Sequence, residues 1–186
     1  MLGYKSSTPE EIALDNITDT ALRDVWQQVN ECRQCPNACP NPLMRFGKVH
    51  GILVVNSHES TAFPLNTIIE EITHQGVPQE YISYCEIINC DKAIPDPENI
   101  RNCLSYLDRL ILILRPIRMI MLGKTVIVSL FPEIKQSVMM IHGQWFSYRG
   151  VPAIVTFRQP PEDTPELFSL DISKVLKGVL STCPTR

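Results

Sequence analysis

Short apolar runs that alternate with helix-like stretches are the feature that most constrains the fold of this chain. Residues 51–56 (GILVVN), 81–89 and 117–122 are such runs, and residues 143–148 and 151–157 form a hairpin pattern. Parallel strands covered on both faces are continuously apolar, and helical crossovers connect them. The order therefore predicts an α/β protein, a three-layer α/β/α sandwich around a mostly parallel four-stranded central sheet. Of the two hairpin strands, only the second is expected to join this sheet.

Helix signals separate a short N-terminal segment from the rest of the chain. Thr8-Pro9 predicts the start of one helix, and Thr18 or Thr20 the start of a second. The second helix has a predicted buried face of Leu22, Val25, Trp26 and Val29. Further helices are predicted at 66–75, 125–130 and 168–180, and a long helix is predicted between the cap Asp96-Pro97-Glu98 and Arg115-Pro116, which ends it. We interpret residues 1–21 as an N-terminal extension and residues 22–186 as a single domain.

Composition excludes several classes of protein. The 186 residues are 44% hydrophobic and carry a net charge of -3, which excludes a disordered, collagen-like or disulfide-dense chain. A mildly acidic balance also argues against strong non-specific nucleic-acid binding by the whole surface. The sequence shows no signal peptide and no apolar run long enough to span a bilayer. We therefore expect no membrane partner and a reducing, cytoplasmic location.

In a reducing compartment, clustered cysteines are metal ligands more often than disulfides. Four of the seven cysteines have the spacing Cys32-x2-Cys35 and Cys90-x12-Cys103. Four thiolates suit either zinc or a [4Fe–4S] cluster. The alternative is that the CxxC arose by chance and that Cys90 and Cys103 are small buried core residues. Of the other three, Cys39 is interpreted as a substitute ligand, Cys85 as a buried strand residue and Cys183 as a tail residue.

Several further segments, taken in order, resemble one enzyme family. They are Arg45-Phe46-Gly47, Asn89-Cys90, Cys103-Leu104-Ser105-Tyr106-Leu107, Leu122-Gly123-Lys124-Thr125, Gly143-Gln144-Trp145, Tyr148-Arg149-Gly150 and Thr156-Phe157. Together with the CxxC, these segments resemble the iron–sulfur uracil-DNA glycosylases, family 4 of the uracil-DNA glycosylase superfamily. The resemblance covers about residues 22–180. It implies a glycosylase-like fold and favours a [4Fe–4S] cluster over zinc on Cys32, Cys35, Cys90 and Cys103.

The same resemblance places the working site at the carboxyl ends of the strands and shows that its residues differ. Phe63 matches the ring that stacks on the flipped base. Glu86 stands where the family has a base-reading Asn, and an ionised carboxylate cannot donate to a uracil carbonyl. Arg158 stands where the family has its catalytic His. His58 and Glu59, in the loop after the first strand, are candidates for a rearranged catalytic role together with Arg158.

We therefore expect a catalytically degenerate member that acts as a binding or assembly module in DNA replication, repair or defence. Acidic residues between 162 and 166 oppose phosphate binding, so DNA binding should be weak and a protein partner is expected. A basic region near the cluster favours nucleic acid, although it is also typical of a solvated helix face; it comprises Arg101, Arg109, Arg115, Arg118 and Lys124. The alternatives are an active glycosylase with rearranged residues and a metal-stabilised interaction protein with no nucleic-acid role.

Overall fold

The structure is a computed structural model that describes residues 9–35, 39–57, 65–90 and 97–177, with side chains from residue 17 onward. Its helices are α1 (Pro9–Asn30), α2 (Leu65–His74), α3 (Pro97–Leu114), α4 (Gly123–Leu130), α5 (Val138–Ile141) and α6 (Glu166–Leu176). Its strands are β1 (Ile52–Asn56), β2 (Ile82–Glu86), β3 (Arg118–Leu122), β4 (Trp145–Tyr148) and β5 (Val151–Thr156).

One sheet contains all five of these strands, in the order β2-β1-β3-β5-β4. The pairs β1–β2, β1–β3 and β3–β5 are parallel, and β4 pairs antiparallel with β5. The α/β class and the mostly parallel sheet are confirmed, but the predicted count of four strands is wrong. The first hairpin strand, β4, hydrogen-bonds along β5 and so becomes the fifth strand at one edge of the sheet.

Two hydrophobic clusters lie on opposite faces of this sheet because successive side chains of a strand point to opposite sides. Leu53 and Val55 of β1 pack with residues of α1, α3 and α4, whereas Ile52 and Val54 pack with residues of α2 and α6. Every residue of β1 and β2 is buried, which is the pattern of strands covered on both faces. The continuous apolar runs in the sequence follow from this arrangement.

Helix α1 is one continuous helix of 22 residues, so the prediction of two helices in this region is wrong. Leu22, Val25 and Val29 are buried against the first cluster. Trp26, expected on the same face, is 42% exposed because it lies at the side of a narrow apolar stripe. The helix runs through positions 21 and 22, where the sequence suggested the end of an extension.

Residues 39–48 run beside β2 and cover its outer edge. Arg45 and Tyr84 exchange two backbone hydrogen bonds of 2.9 and 2.8 Å, and the Asn41 N–H donates to the Asn89 carbonyl at 2.9 Å. The segment thereby satisfies strand groups that would otherwise offer an open edge for pairing. It also brings the chain that follows the CxxC next to Cys90, which forms an isolated bridge with Pro40.

None of the helices within the described residues is both long enough and apolar enough to cross a membrane.

Candidate functional site

The carboxyl ends of the four parallel strands meet along one edge of the sheet, where ligands bind in open α/β folds. The strands end at Glu86, Asn56, Leu122 and Thr156 in their order across the sheet. Asn56 pairs with Glu86 and Leu122 with Thr156, so the four ends lie side by side. Neighbouring strands are about 4.8 Å apart, which makes this edge about 14 Å wide between Glu86 and Thr156.

At the β1–β2 side of the edge, three buried side chains form a hydrogen-bonded chain. The Asn56 amide donates to the Tyr84 hydroxyl at 3.0 Å, and that hydroxyl donates to Glu86 Oε1 at 3.4 Å. Burial raises the pKa of Tyr84, and the Glu86 carboxylate raises it further, so Tyr84 keeps its proton. Glu86 itself is 8% exposed. A carboxylate here accepts hydrogen bonds where an amide would both donate and accept.

At the β5 side of the edge, a buried carboxylate on α6 holds a histidine. The Thr156 hydroxyl donates to Asp171 Oδ2 at 2.9 Å, and His142 Nδ1 lies 3.0 Å from the same oxygen. Asp171 Oδ1 has no hydrogen-bond partner in the described chain, but Lys174 Nζ lies 3.6 Å away. The His142 ring also rests on the Phe157 ring, with centroids 4.9 Å apart.

Two glycines with positive φ let the backbone approach these groups closely. Gly143 has φ 70°, and a Cβ there would lie 2.5 Å from Asp171 Oδ1 and collide with Lys174 Nζ. Gly123, with φ 80°, begins α4, and a Cβ there would lie 3.2 Å from the Cβ of Arg158. The stem of Arg158 therefore lies over the end of β3.

The structure thus brings two of the candidate site residues to one edge. Glu86 lies at the end of β2, and Arg158 follows two residues after β5. His58, Glu59 and Phe63 lie outside the described residues, and their proposed roles stay predictions.

The candidate metal ligands come from three separate parts of the chain and gather in one region. Cys32 and Cys35 follow α1, Cys90 follows β2, and Cys103 lies on α3. Burial raises the pKa of Cys103, and negative charge on Cys90, Cys35 and Cys32 raises it further. Burial likewise raises the pKa of Cys90, with smaller contributions from charge on Cys35, Cys32 and Cys39, while a hydrogen bond from the Cys39 backbone lowers it.

The surroundings of these thiols contain hydrogen-bond donors from α3. The Asn102 amide lies 3.6 Å from Cys35 Sγ. Burial raises the pKa of Tyr106 to about 12, and the hydrogen bond between its hydroxyl and Cys32 adds to the shift. The donor set is thus the all-sulfur kind that zinc or an iron–sulfur cluster uses. No group of three or more potential ligands, however, is close enough to hold a metal ion among the residues with described positions.

The remaining cysteines differ from one another. Cys85 is 1% exposed on β2, as expected, and burial raises the pKa of its thiol to about 12. Cys39 is exposed but lies within electrostatic reach of Cys90, which suits a substitute ligand. Cys183 lies outside the described residues.

The five basic residues predicted to form a region near the cluster are spread along the molecule. Arg101 and Arg115 lie 14 positions apart on or just after α3, a distance of about 21 Å along a helix axis. Arg109 donates to Gln28 of α1, and Arg118 lies over the Trp145 ring at the other end of the sheet. Lys124 is the second residue of α4, which directly follows β3, and Arg101 lies in the second turn of α3.

Sequence reasoning missed the group around His142. His142 and Asp171 are 29 positions apart, and neither belongs to a short motif with a known spacing. The signal that could have found the histidine is its place directly before Gly143 and three residues before β4, the strand that runs antiparallel to β5. No family model matches this chain, and no curated protein matches it.

Proposed function

We propose that this chain is a uracil-DNA-glycosylase-like protein with a structural [4Fe–4S] cluster, a three-layer sandwich fold and a degenerate version of that family's catalytic site. In this proposal it is a binding or assembly module in DNA replication, repair or defence. The observation that carries the proposal is the gathering of Cys32, Cys35, Cys90 and Cys103. They lie up to 71 positions apart in the chain, yet the amide of Asn102, the residue before Cys103, lies 3.6 Å from Cys35 Sγ. Negative charge on Cys90, Cys35 and Cys32 also raises the pKa of Cys103.

The four cysteines are the residues that would hold the cluster, with zinc as the lesser possibility. When bound, the group cross-links the loop after α1 to the end of β2 and to α3. The hydrogen bonds from Asn102 and Tyr106 support this proposal because sulfur ligands of metal sites commonly accept such bonds. Cys90 and Cys103 are also buried. The experiment must therefore distinguish metal ligands from ordinary buried core residues at these two positions.

Two substitutions at the carboxyl edge support the loss of the family's own reaction. Glu86 is a buried hydrogen-bond acceptor where an amide is expected, and its partner Tyr84 is fixed by Asn56. Arg158 carries a permanent positive charge, which can stabilise an anion but cannot supply a proton near neutral pH. A site with these two residues can still bind a nucleic-acid strand, in which Arg158 contacts a phosphate.

The metal content of the protein tests the first part of this proposal. Protein purified without oxygen should contain iron and absorb visible light as a [4Fe–4S] cluster does, and Cys103→Ser should lose both. Cys85→Ser is the matched control, because it also replaces a buried thiol but not a proposed ligand. A colourless protein with one bound zinc, or equal iron in Cys103→Ser and the natural chain, would contradict the cluster assignment.

Salt-dependent binding of a short single-stranded oligonucleotide tests the second part. We expect weak binding whose affinity falls as salt rises. Arg158→Glu should bind more weakly still, and the slope of log affinity against log salt should decrease by about 1, the loss of one phosphate contact. Arg149→Glu is the control, because that guanidinium is engaged by Asp108 at the opposite end of β5. Absence of binding at low salt would sink the nucleic-acid role and favour a protein partner.

A second candidate function is an active DNA glycosylase with rearranged catalytic residues. The hydrogen bond between His142 and the buried Asp171 favours it, because this arrangement can move a proton at the edge where Arg158 lies. Release of a free base from an oligonucleotide separates it from the binding module.

A further inference from the structure

We propose that His142 and Asp171 form an acid–base pair, in which His142 is the general base that activates water for hydrolysis of an N-glycosidic bond. The inference rests on the second candidate function and gives it a residue that the resemblance does not supply.

The contacts of Asp171 fix the orientation and the tautomer of His142. An ionised carboxylate only accepts hydrogen bonds, so Nδ1, 3.0 Å from Asp171 Oδ2, carries the proton. The lone pair of the neutral ring is then on Nε2, the nitrogen that faces away from Asp171. The Thr156 hydroxyl donates to the same oxygen, and Lys174 lies on the other side of the carboxylate.

Burial distinguishes the two members of the pair. The Asp171 side chain is 1% exposed, whereas that of His142 is 21% exposed and therefore open to water or a ligand. Phe157 restricts the ring from one side. A carboxylate that is shielded from solvent and holds a reachable imidazole is the arrangement by which hydrolases orient a histidine base.

The position of the pair suits a ligand bound at the carboxyl edge. Thr156 is the last residue of β5, and Phe157 and Arg158 follow it directly. The charged groups beside His142 are Asp171 and Lys174 from α6. Arg158 follows Thr156 by two residues, and its stem lies next to Gly123, at the end of the neighbouring strand β3. A negative charge that develops on a leaving group at this edge would therefore meet a guanidinium.

The proposed reaction consumes only water and the nucleotide. His142 Nε2 takes a proton from water, the water oxygen bonds to the sugar C1′, and the C1′–N bond breaks. The base leaves with the electron pair of that bond and is stabilised by Arg158. The proton on His142 then passes to the departing base, which restores the neutral ring.

The test measures release of base from single-stranded oligonucleotides that each contain one uracil or another deaminated base. His142→Gln keeps a hydrogen-bonding group beside Asp171 but cannot act as a base, so the rate should fall roughly 100-fold or more. His142→Ala should fall equally and recover in part when imidazole is added. His74→Gln, which changes an exposed histidine on α2, should keep the full rate. Thermal unfolding of each variant checks that it is folded.

The outcomes separate this inference from the function on which it rests. Base release that is unchanged in a folded His142→Gln overturns the role of His142 and leaves the second candidate standing. No base release by the natural chain overturns both and leaves the binding module. A loss in His142→Ala that imidazole does not restore points to a structural role and also overturns the inference.

Discussion

The contact between His142 and Asp171 depends on the glycine next to the histidine. Asp171 is buried and its Oδ2 already accepts from Thr156, so His142 can reach that oxygen only if the turn before β4 comes close to α6. Gly143 allows this approach because it has no Cβ and adopts φ 70°. The residue that makes the histidine contact possible is therefore its neighbour, which carries no functional group.

Gly143→Ala and Gly150→Ala test this point as a matched pair. Both positions have positive φ, so both variants lose about 1–2 kcal/mol from backbone strain. At Gly150 a new Cβ meets nothing within 4 Å, whereas at Gly143 it collides with Asp171 and Lys174. We expect Gly143→Ala to lose about 1–3 kcal/mol more than Gly150→Ala in urea unfolding. Equal losses in the two variants would show that α6 moves away freely.

At the scale of helices and strands, local pattern predicted those elements whose buried positions repeat with the period of the element. Every residue of β1 is buried, and its run of apolar residues predicts a strand directly. In α2, Ile68, Ile69 and Ile72 are buried as their spacing predicts, and Gly76 follows with φ 102°. These predictions succeed because the buried positions of each element must be apolar, so the spacing of apolar residues in the sequence matches the spacing of buried positions in the structure.

The features that local pattern missed depend on partners far away in the sequence. Residues such as Thr18 and Thr20 are typical of a helix start, yet α1 continues through them because Val25 and Val29 bind the helix to the core. Strand β4 has only one buried residue, and its place in the sheet follows from pairing with β5. The contact of His142 with Asp171 likewise forms only when α6 packs on the sheet. A spacing rule cannot show any of these.

Across the whole molecule, the sheet separates two kinds of chemistry. The thiols lie beside α1 and α3, whose core residues share one cluster, and Asp171 lies on α6, which covers the other face. The edge with Asn56, Glu86 and Thr156 joins the two regions. A metal group at the cysteines can therefore hold the fold together without contact with the His142 pair, which is why the two proposals need separate tests.

Buried thiol and phenol groups in the interior of the molecule also make its stability fall as the pH becomes alkaline. Burial raises the pKa of Cys85 from 9.0 to about 12 and that of Tyr148 from 10.0 to about 12. Both groups lose protons more readily when the chain unfolds. Their contribution to stability is therefore complete below about pH 9 and is lost as the pH rises towards 12. One such group lowers the free energy of unfolding by up to about 1.4 kcal/mol per pH unit.

Cys85→Ala should remove the part of this slope that begins near pH 9, because alanine has no proton to release. Val55→Ala is the matched control, since Val55 pairs with Cys85 across β1 and β2 and is equally buried. It should lower the free energy of unfolding by a similar amount at every pH and keep the slope, because a cavity does not titrate. Urea unfolding between pH 7 and pH 10.5, a range that begins about two units below the ordinary cysteine pKa of 9.0, measures both effects. If Cys85→Ala and Val55→Ala showed the same slope, the alkaline loss would have to come from other groups, with Tyr148 and Tyr84 the next to examine.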